Sequence, residues 1–400
     1  MEEWGMYGYP MSKMLAEAEE LERAGERRVL SVNWLPGEYW GKANDVATRD
    51  SIRVFANAIG DSNPLWMNPE YAKQTVFGGI IAPPLYLNCI APGWGATLFK
   101  RVGNDWVQST RAFEGLNAGS RWVRFHEVKE GDSFTVYDVF KGIEVKKKHG
   151  LEAEAPPMLF SQTDRTYENQ RGEVISICSM RGVQIMKPLH QKGTPPVHET
   201  EEFKPYKYTD EELEAIKHAY ATEEKRGANT LYWEDVSEGE VLKPVIKGPV
   251  ITDDAVAFMG AIGLMQRAYG LRLLFEGKPH RGYNSIDNTP TGWQTMHVYD
   301  TMVYGQPGGR NTPTIAGAQM ETGLSHLITN WMGDEGFLKV LDCQHRRPSR
   351  FRDTYWCYGK VVKKYIENKE HLVDMDIWTE NQQRMKHTIA KATVKLVSKV

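Results

Sequence analysis

The sequence has no block of charge of one sign and no apolar run long enough to cross a membrane. Lysine and arginine number 49 against 52 acidic residues, which gives a net charge of -3 and excludes a strongly basic nucleic-acid groove. The N-terminal residues are acidic and aromatic, without the charged-then-apolar pattern of a secretion signal. We therefore expect a cytoplasmic protein that binds neither nucleic acid nor membrane.

Cysteine is scarce and scattered. The four cysteines, Cys89, Cys178, Cys343 and Cys357, form no CxxC pair and no Cys/His ligand spacing. They indicate reduced packing residues, and no metal site is predicted. Aromatic residues are plentiful, with 12 Trp and 18 Tyr. They fit either core and interface packing or a pocket for a bulky, flat substrate.

The first half reads as helices followed by strands. Residues 11–26 predict an amphipathic helix, and Thr48 begins a short capped one. The stretch after Pro84 has apolar residues at helical spacing. From Arg121 onward the sequence alternates and is rich in Val, Phe, Ile and Thr, with likely turn residues at 131–132 and 171–172. One helix followed by an antiparallel meander is the order of a hot-dog fold.

The same order returns in the second half, which indicates two related units packed together. Residues 1–187 and 231–400 are the predicted hot-dog domains. The polar residues 188–230 are predicted as a linker that contains a helix capped by Thr209 and Glu212. The predicted fold is α+β: a double hot dog with two central helices, each wrapped by an antiparallel sheet, and one continuous sheet.

The stretch from Phe55 to Pro84 resembles the signature of the MaoC-like, (R)-specific enoyl-CoA hydratase family, roughly GDxNPxHxD…A…FGGxIAHG. Trp66 stands where the family has its histidine, and Pro83-Pro84 stands where it has His-Gly. The matching positions are Gly60, Asp61, Asn63, Pro64, Ala72, Phe77, Gly78, Gly79, Ile81 and Ala82.

The resemblance implies a site in which an Asp and a His move protons while a glycine amide at a helix start binds the thioester oxygen. Asp61 is placed for the carboxylate, but Trp66 cannot titrate and Pro84 has no amide hydrogen. The first half is therefore expected to shape the acyl pocket, with Asn63, Trp66 and Gly79 as substrate-binding residues. Asp61 and Asn63 fit equally a structural turn that caps backbone groups.

The second half supplies other candidates. The sequence IAGAQ parallels IAHG and places Gly317 on the motif glycine, where its amide can bind an oxyanion. His297 precedes it at nearly the family spacing, and Asp300 resembles the acid after the motif histidine. We expect His297 to be the catalytic acid/base. Its partner carboxylate is either Asp287 or Asp61, donated from the first half.

Residues 325–361 resemble the C-terminal half of bacterial FAS1-like acyl dehydratases. His326 lies inside the predicted helix, where a buried, satisfied histidine is the expectation. Arg346 and Arg347, with Arg350 and Arg352, fit either a site for CoA phosphates or a solvated face.

The resemblance thus implies a hydratase/dehydratase acting reversibly on a 2-enoyl acyl-CoA, with no cofactor beyond the CoA thioester itself. The long segment between residues 263 and 305 and the aromatic content favour a bulky acyl group. The alternatives are an acyl-CoA thioesterase and a non-catalytic subunit of a MaoC-like heteromer. We expect a homodimer, since double hot dogs often pair again.

Overall fold

The computed structural model describes residues 4–6, 9–30, 42–91, 99–102, 105–108, 116–146, 157–188, 206–263 and 314–399. The strands are Trp4–Met6 (β1), Tyr9–Pro10 (β2), Arg28–Val29 (β3), Phe99–Val102 (β4), Asp105–Gln108 (β5), Leu116–Arg124 (β6), Phe134–Lys146 (β7), Met158–Asn169 (β8), Val174–Ile185 (β9), Lys187–Pro188 (β10), Val245–Lys247 (β11), Phe337–His345 (β12), Tyr355–Glu367 (β13), Glu370–Asn381 (β14) and Lys386–Leu396 (β15).

The α-helices are Met11–Ala24 (α1), Arg49–Ala58 (α2), Pro64–Met67 (α3), Pro69–Lys73 (α4), Asp210–Ala221 (α5), Thr252–Ala261 (α6) and Gly317–Met332 (α7). Short 3₁₀ helices cover Tyr86–Cys89 and Trp233–Asp235. The predicted caps are present, because Thr48 and Thr209 each accept a bond from the amide three residues on. None of the helices in the described ranges is long and apolar enough to cross a membrane.

One antiparallel sheet of ten strands runs through both halves, in the order β11-β13-β14-β15-β12-β6-β9-β8-β7-β3. The two halves meet where β6 pairs with β12, with Trp122 opposite Leu341 and Arg121 opposite Asp342. The double hot-dog prediction and its continuous sheet are thereby confirmed. Turns at 130–131 and 170–172 join the first-half strands, as the sequence indicated.

The central helices of the two halves differ. In the second half, α7 is buried along nearly its whole length and packs against β6 and β11–β15. In the first half, the predicted long helix after Pro84 is wrong as a continuous element, because a 3₁₀ helix covers only Tyr86–Cys89 and Phe99–Val102 is a strand.

A β-bulge interrupts β6 at the junction of the halves. Asn117 pairs with Gly182 of β9 and Gly119 with the adjacent Arg181, so Ala118 is an extra residue. Gly119 has φ of +120°, and a Cβ there would lie 2.0 Å from the carbonyl oxygen of Cys343 on β12. Only glycine fits at this position, because any other residue would be strained at this φ and its Cβ would clash with the neighbouring strand.

We expect Gly119→Ala to lower the free energy of unfolding by about 3 kcal/mol or more, since backbone strain and overpacking add. Gly172→Ala is the matched control, because Gly172 has φ of +76° but nothing within 4 Å of an added Cβ. It should lose only the cost of the positive φ, about 1 kcal/mol. Urea denaturation measures both, and equal losses would contradict the close approach at Gly119.

Candidate active site at the junction of the two halves

The first residue of α7 is Gly317, and its backbone amide is the central feature of the site. Ala316 is the N-cap residue and makes no side-chain cap. Its carbonyl oxygen accepts from the amides of Gln319 and Met320, whereas the Gly317 amide has no acceptor within the described ranges. A free amide at a helix N-terminus carries partial positive charge and favours a negatively charged oxygen.

Two side chains lie against Gly317. A Cβ on this residue would be 2.5 Å from Nε2 of His345 and 3.0 Å from Nδ2 of Asn117. His345 ends β12 in the second half, and Asn117 belongs to β6 in the first. The pairing of these two strands therefore places groups from both halves beside the free amide.

His345 is paired with a buried carboxylate. Its Nε2 lies 3.3 Å from Oε1 of Glu321, which is 1% exposed. Ser120 donates to Oε2 of Glu321 at 2.6 Å, and the Thr388 hydroxyl lies 3.0 Å from Nδ1 of His345. Because each member is held by a second side chain, the histidine and the carboxylate face each other in a fixed orientation.

A small cavity of about 10 Å³ lies beside Glu321. Its volume is close to the minimum for a single water. The lining residues come from both halves and from α7: Asn88, Asn117, Gly119, Ser120, Trp122, Cys178, Met180, Ala318 and Glu321. The cavity thus lies between β6, β9 and the start of α7.

The first-half motif lies elsewhere and forms a turn docked on the second half. Oδ1 of Asp61 accepts from the amide of Asn63 at 3.0 Å, and Oδ1 of Asn63 accepts from the amide of Leu65 at 2.9 Å. Nδ2 of Asn63 donates to Asp334 at 2.9 Å, and Tyr71 donates to the same carboxylate at 2.5 Å. These contacts match the structural alternative for the motif, in which it caps backbone groups.

Asp61 also belongs to a buried polar cluster with His326, Lys247 and Glu223. Nε2 of His326 lies 3.7 Å from Asp61 and 3.3 Å from Glu223, and its Nδ1 lies 2.7 Å from Nζ of Lys247. Burial lowers the pKa of Lys247, against the raising effect of Glu223. Burial tends to raise the pKa of Glu223, but its bond to His326 and the charges of His326 and Lys247 bring it down to about 2.

The structure separates Asp61 from Gly317. Helical rise places His326, the neighbour of Asp61, about 14 Å along α7 from Gly317. Asp61 therefore contacts the part of α7 that is distant from Gly317, and its expected pairing with His297 stays a prediction. His297, Asp287 and Asp300 lie outside the described residues, and their roles stay predictions.

The residues predicted to shape the acyl pocket are spread over the first half. Trp66 is 3% exposed and packs in the hydrophobic core. It is absent from the lining of the cavity beside Glu321. Gly79 lies in the loop before Ile80, and an added Cβ would meet nothing within 4 Å. The structure does not bring Asn63, Trp66 or Gly79 to Gly317, and their role in substrate binding stays a prediction.

The arginine cluster lies close to the start of α7. Arg346, Arg347, Arg350 and Arg352 are exposed. The amide of Ile315 donates to the carbonyl of Ser349 at 2.9 Å, which fixes this turn against the segment that enters the helix. The cluster therefore borders the approach to Gly317.

Sequence reasoning missed Glu321, His345, Asn117 and Ser120, although two signals were present. Glu321 lies four residues after Gly317 and is the one acidic residue of this helix, and the spacing puts both on one face. His345 follows buried Cys343 at the strand period, on the same face of β12. No pattern in the sequence identified Asn117, because the bulge changes its face.

Comparison with known protein families gives a match within the first half of the chain. The family model of the FAS1-like dehydratase domain region matches residues 35–177. This match lies within the first half, and the resemblance predicted from its motif is confirmed. The similarity predicted for residues 325–361 lies outside this match.

Several relatives match parts of the chain by sequence. A UPF0336 protein of Streptomyces avermitilis is 45% identical over 99 residues, which are 24% of this chain and 61% of that protein. A protein of Thermomonospora curvata named "Probable enoyl-CoA hydratase alpha subunit" is 27% identical over 143 residues, 34% of this chain and 44% of that protein. The chain thus covers less than two thirds of either relative.

Several solved structures match nearly the whole chain. A MaoC-like dehydratase superposes with a TM-score of 0.58 at 12% identity, covering 93% of this chain and 98% of its own. A conserved hypothetical protein from Mycobacterium tuberculosis with a double hotdog fold superposes with a TM-score of 0.52 at 11% identity, covering 93% and 96%. At such identities the likeness shows the fold, which is the double hot dog.

We expect Glu223→Gln to be less stable than the wild type at pH 6, and the difference to shrink as the pH falls to about 3. The pKa of this carboxyl is lowered from 4.5 to about 2 on folding, so its contribution is present above about pH 4.5 and is lost toward pH 2. Urea midpoints across this range measure the effect. Glu214→Gln, whose side chain is 69% exposed, is the control. A difference that is constant with pH would contradict the ion cluster.

Proposed function

We propose that this protein is a hydratase/dehydratase that adds water reversibly to a 2-enoyl acyl-CoA. The observation that supports this most is the free Gly317 amide at the start of a buried helix, beside the His345–Glu321 pair. The dehydratase family match in the first half and the hydratase name of the Thermomonospora relative point to the same chemistry.

The geometry suits the three needs of the reaction. The Gly317 amide stabilises the negative charge that develops on the thioester oxygen when water attacks the β-carbon. One member of the His345–Glu321 pair takes the proton of that water, and the other delivers a proton to the α-carbon. The oxygen joins the β-carbon and the proton joins the α-carbon, so the atoms of one water are added. These steps use side chains, a backbone amide and water.

The exposed arginines beside the entry to α7 are proposed to hold the CoA phosphates. Guanidinium groups make strong, charge-assisted bonds to phosphate, and this turn adjoins the segment that leads to Gly317. A thioester bound at Gly317 can therefore extend its CoA toward solvent over Arg346 and Arg347.

The nature of the acyl group and the oligomeric state are proposed from the sequence. A bulky acyl group follows from the long aromatic segment between residues 263 and 305, and hydration rates over a series of acyl groups would test it. A homodimer follows from the pairing habit of double hot dogs, and sedimentation at several concentrations would test it.

We expect Glu321→Gln and His345→Gln each to lower kcat for hydration of crotonyl-CoA by about 10²–10⁴-fold, since each removes a proton-transfer group. His297→Gln, tested beside them, separates the two histidines: the described geometry favours the larger loss at His345. Loss of the enoyl absorbance measures hydration, and thermal unfolding checks that the variants fold.

The same assay decides between the proposed function and its rivals. Release of free thiol without loss of the enoyl group would show a thioesterase instead. A purified wild-type chain that does neither, at any acyl length, would favour the non-catalytic subunit. Unchanged hydration in both Glu321→Gln and His345→Gln would overturn the site assigned to Gly317.

Replacing Arg346 and Arg347 together by alanine should raise KM about tenfold while leaving kcat close to the wild-type value, because phosphate contacts act on binding. The increase should shrink at high salt, where exposed charges are screened. Arg53→Ala, which removes an exposed arginine on α2, is the control. A KM unchanged in the double variant would favour a merely solvated face.

A further inference from the structure

The bulge in β6 changes which residues face the site. Ser120, Trp122 and Arg124 are buried and alternate with more exposed residues along the strand. Strict alternation would put Asn117 on the opposite face from Ser120. Because Ala118 is an extra residue, Asn117 opposes Gly182 and Ser120 opposes Met180, two positions apart on β9. Asn117 and Ser120 therefore face the same side, toward α7.

The bulge also orients the amide group of Asn117. Its Oδ1 accepts from the amide of Gly119 at 2.7 Å, which assigns the oxygen and turns Nδ2 the other way. Nδ2 lies 3.0 Å from the position of a Cβ on Gly317 and lines the same cavity as Glu321. Within the described ranges it donates to no acceptor. The NH₂ group of Asn117, with its two N–H donors, thus lies against Gly317, the residue whose amide is free.

We propose that Asn117 is a second hydrogen-bond donor to the thioester oxygen, acting with the Gly317 amide as water adds to the β-carbon. This assignment rests on the proposed function. A backbone amide and a side-chain amide that converge on one oxygen form an oxyanion hole, which stabilises the developing charge at little reorganisation cost. The first half thus supplies a donor to a site whose proton-transfer groups belong to the second half.

Two substitutions separate this role from a purely structural one. Asn117→Asp keeps the oxygen that accepts from Gly119 and loses the donors, whereas Asn117→Ala loses both. If Asn117 is an oxyanion donor, its loss in either variant should lower kcat for hydration by about 10²-fold and leave KM nearly unchanged. If only the support of the bulge mattered, the Asp variant would keep its activity and only the Ala variant would lose stability and activity.

Asn57→Asp adds the same charge at an exposed position of α2 and should leave kcat at the wild-type value. A second readout does not depend on turnover: hexadienoyl-CoA, whose absorbance moves to longer wavelength when its carbonyl accepts strong hydrogen bonds, is bound to each protein. The shift should be smaller in Asn117→Ala and Asn117→Asp than in the wild type.

A wild type that hydrates crotonyl-CoA while both variants keep their kcat and the full spectral shift would overturn the role of Asn117 and leave the proposed function standing. A wild type that does not hydrate any enoyl-CoA would overturn the proposed function and this role with it.

Discussion

The pairing of β6 with β12 is the interaction on which the rest of the structure depends. It joins two antiparallel sheets into one, so β6 of the first half packs together with β11–β15 against the buried helix α7. Its closeness requires glycine at position 119, where the backbone of the first half approaches the carbonyl oxygen of Cys343. Residues distant in the sequence, Asn117 and His345, meet at Gly317 only because these strands are neighbours.

The GDSNP motif of the first half and the IAGAQ sequence of the second half have different structural surroundings. In the first half, Asp61 and Asn63 cap a turn and bond to residues of the second half, so the signature that is most specific in the sequence joins the halves. In the second half, the start of α7 keeps a free amide, with a histidine and a carboxylate beside it. The Asp and Asn of the motif therefore have a structural use that requires no histidine or glycine amide nearby, because their side chains are sufficient to cap the turn.

The two buried polar clusters differ in the groups that surround them. The cluster around His326 contains two carboxylates, an imidazole and an ammonium group, and their mutual attraction offsets desolvation. The pair at Glu321 and His345 has neutral supports, Ser120 and Thr388, and a cavity beside it. The groups of the first cluster contact one another, whereas Glu321 of the second also borders the cavity.

The sequence by itself determined the family, the repeat, the α+β order and the glycine at the start of α7, since these follow from local spacing and helix physics. Only the tertiary structure decided which side chains of other elements lie near that glycine. Glu321 follows from helical spacing, but His345 and Asn117 arrive through strand pairing and a one-residue bulge. A bulge changes the face of a strand without a composition signal of its own, so the register of β6 had to be seen.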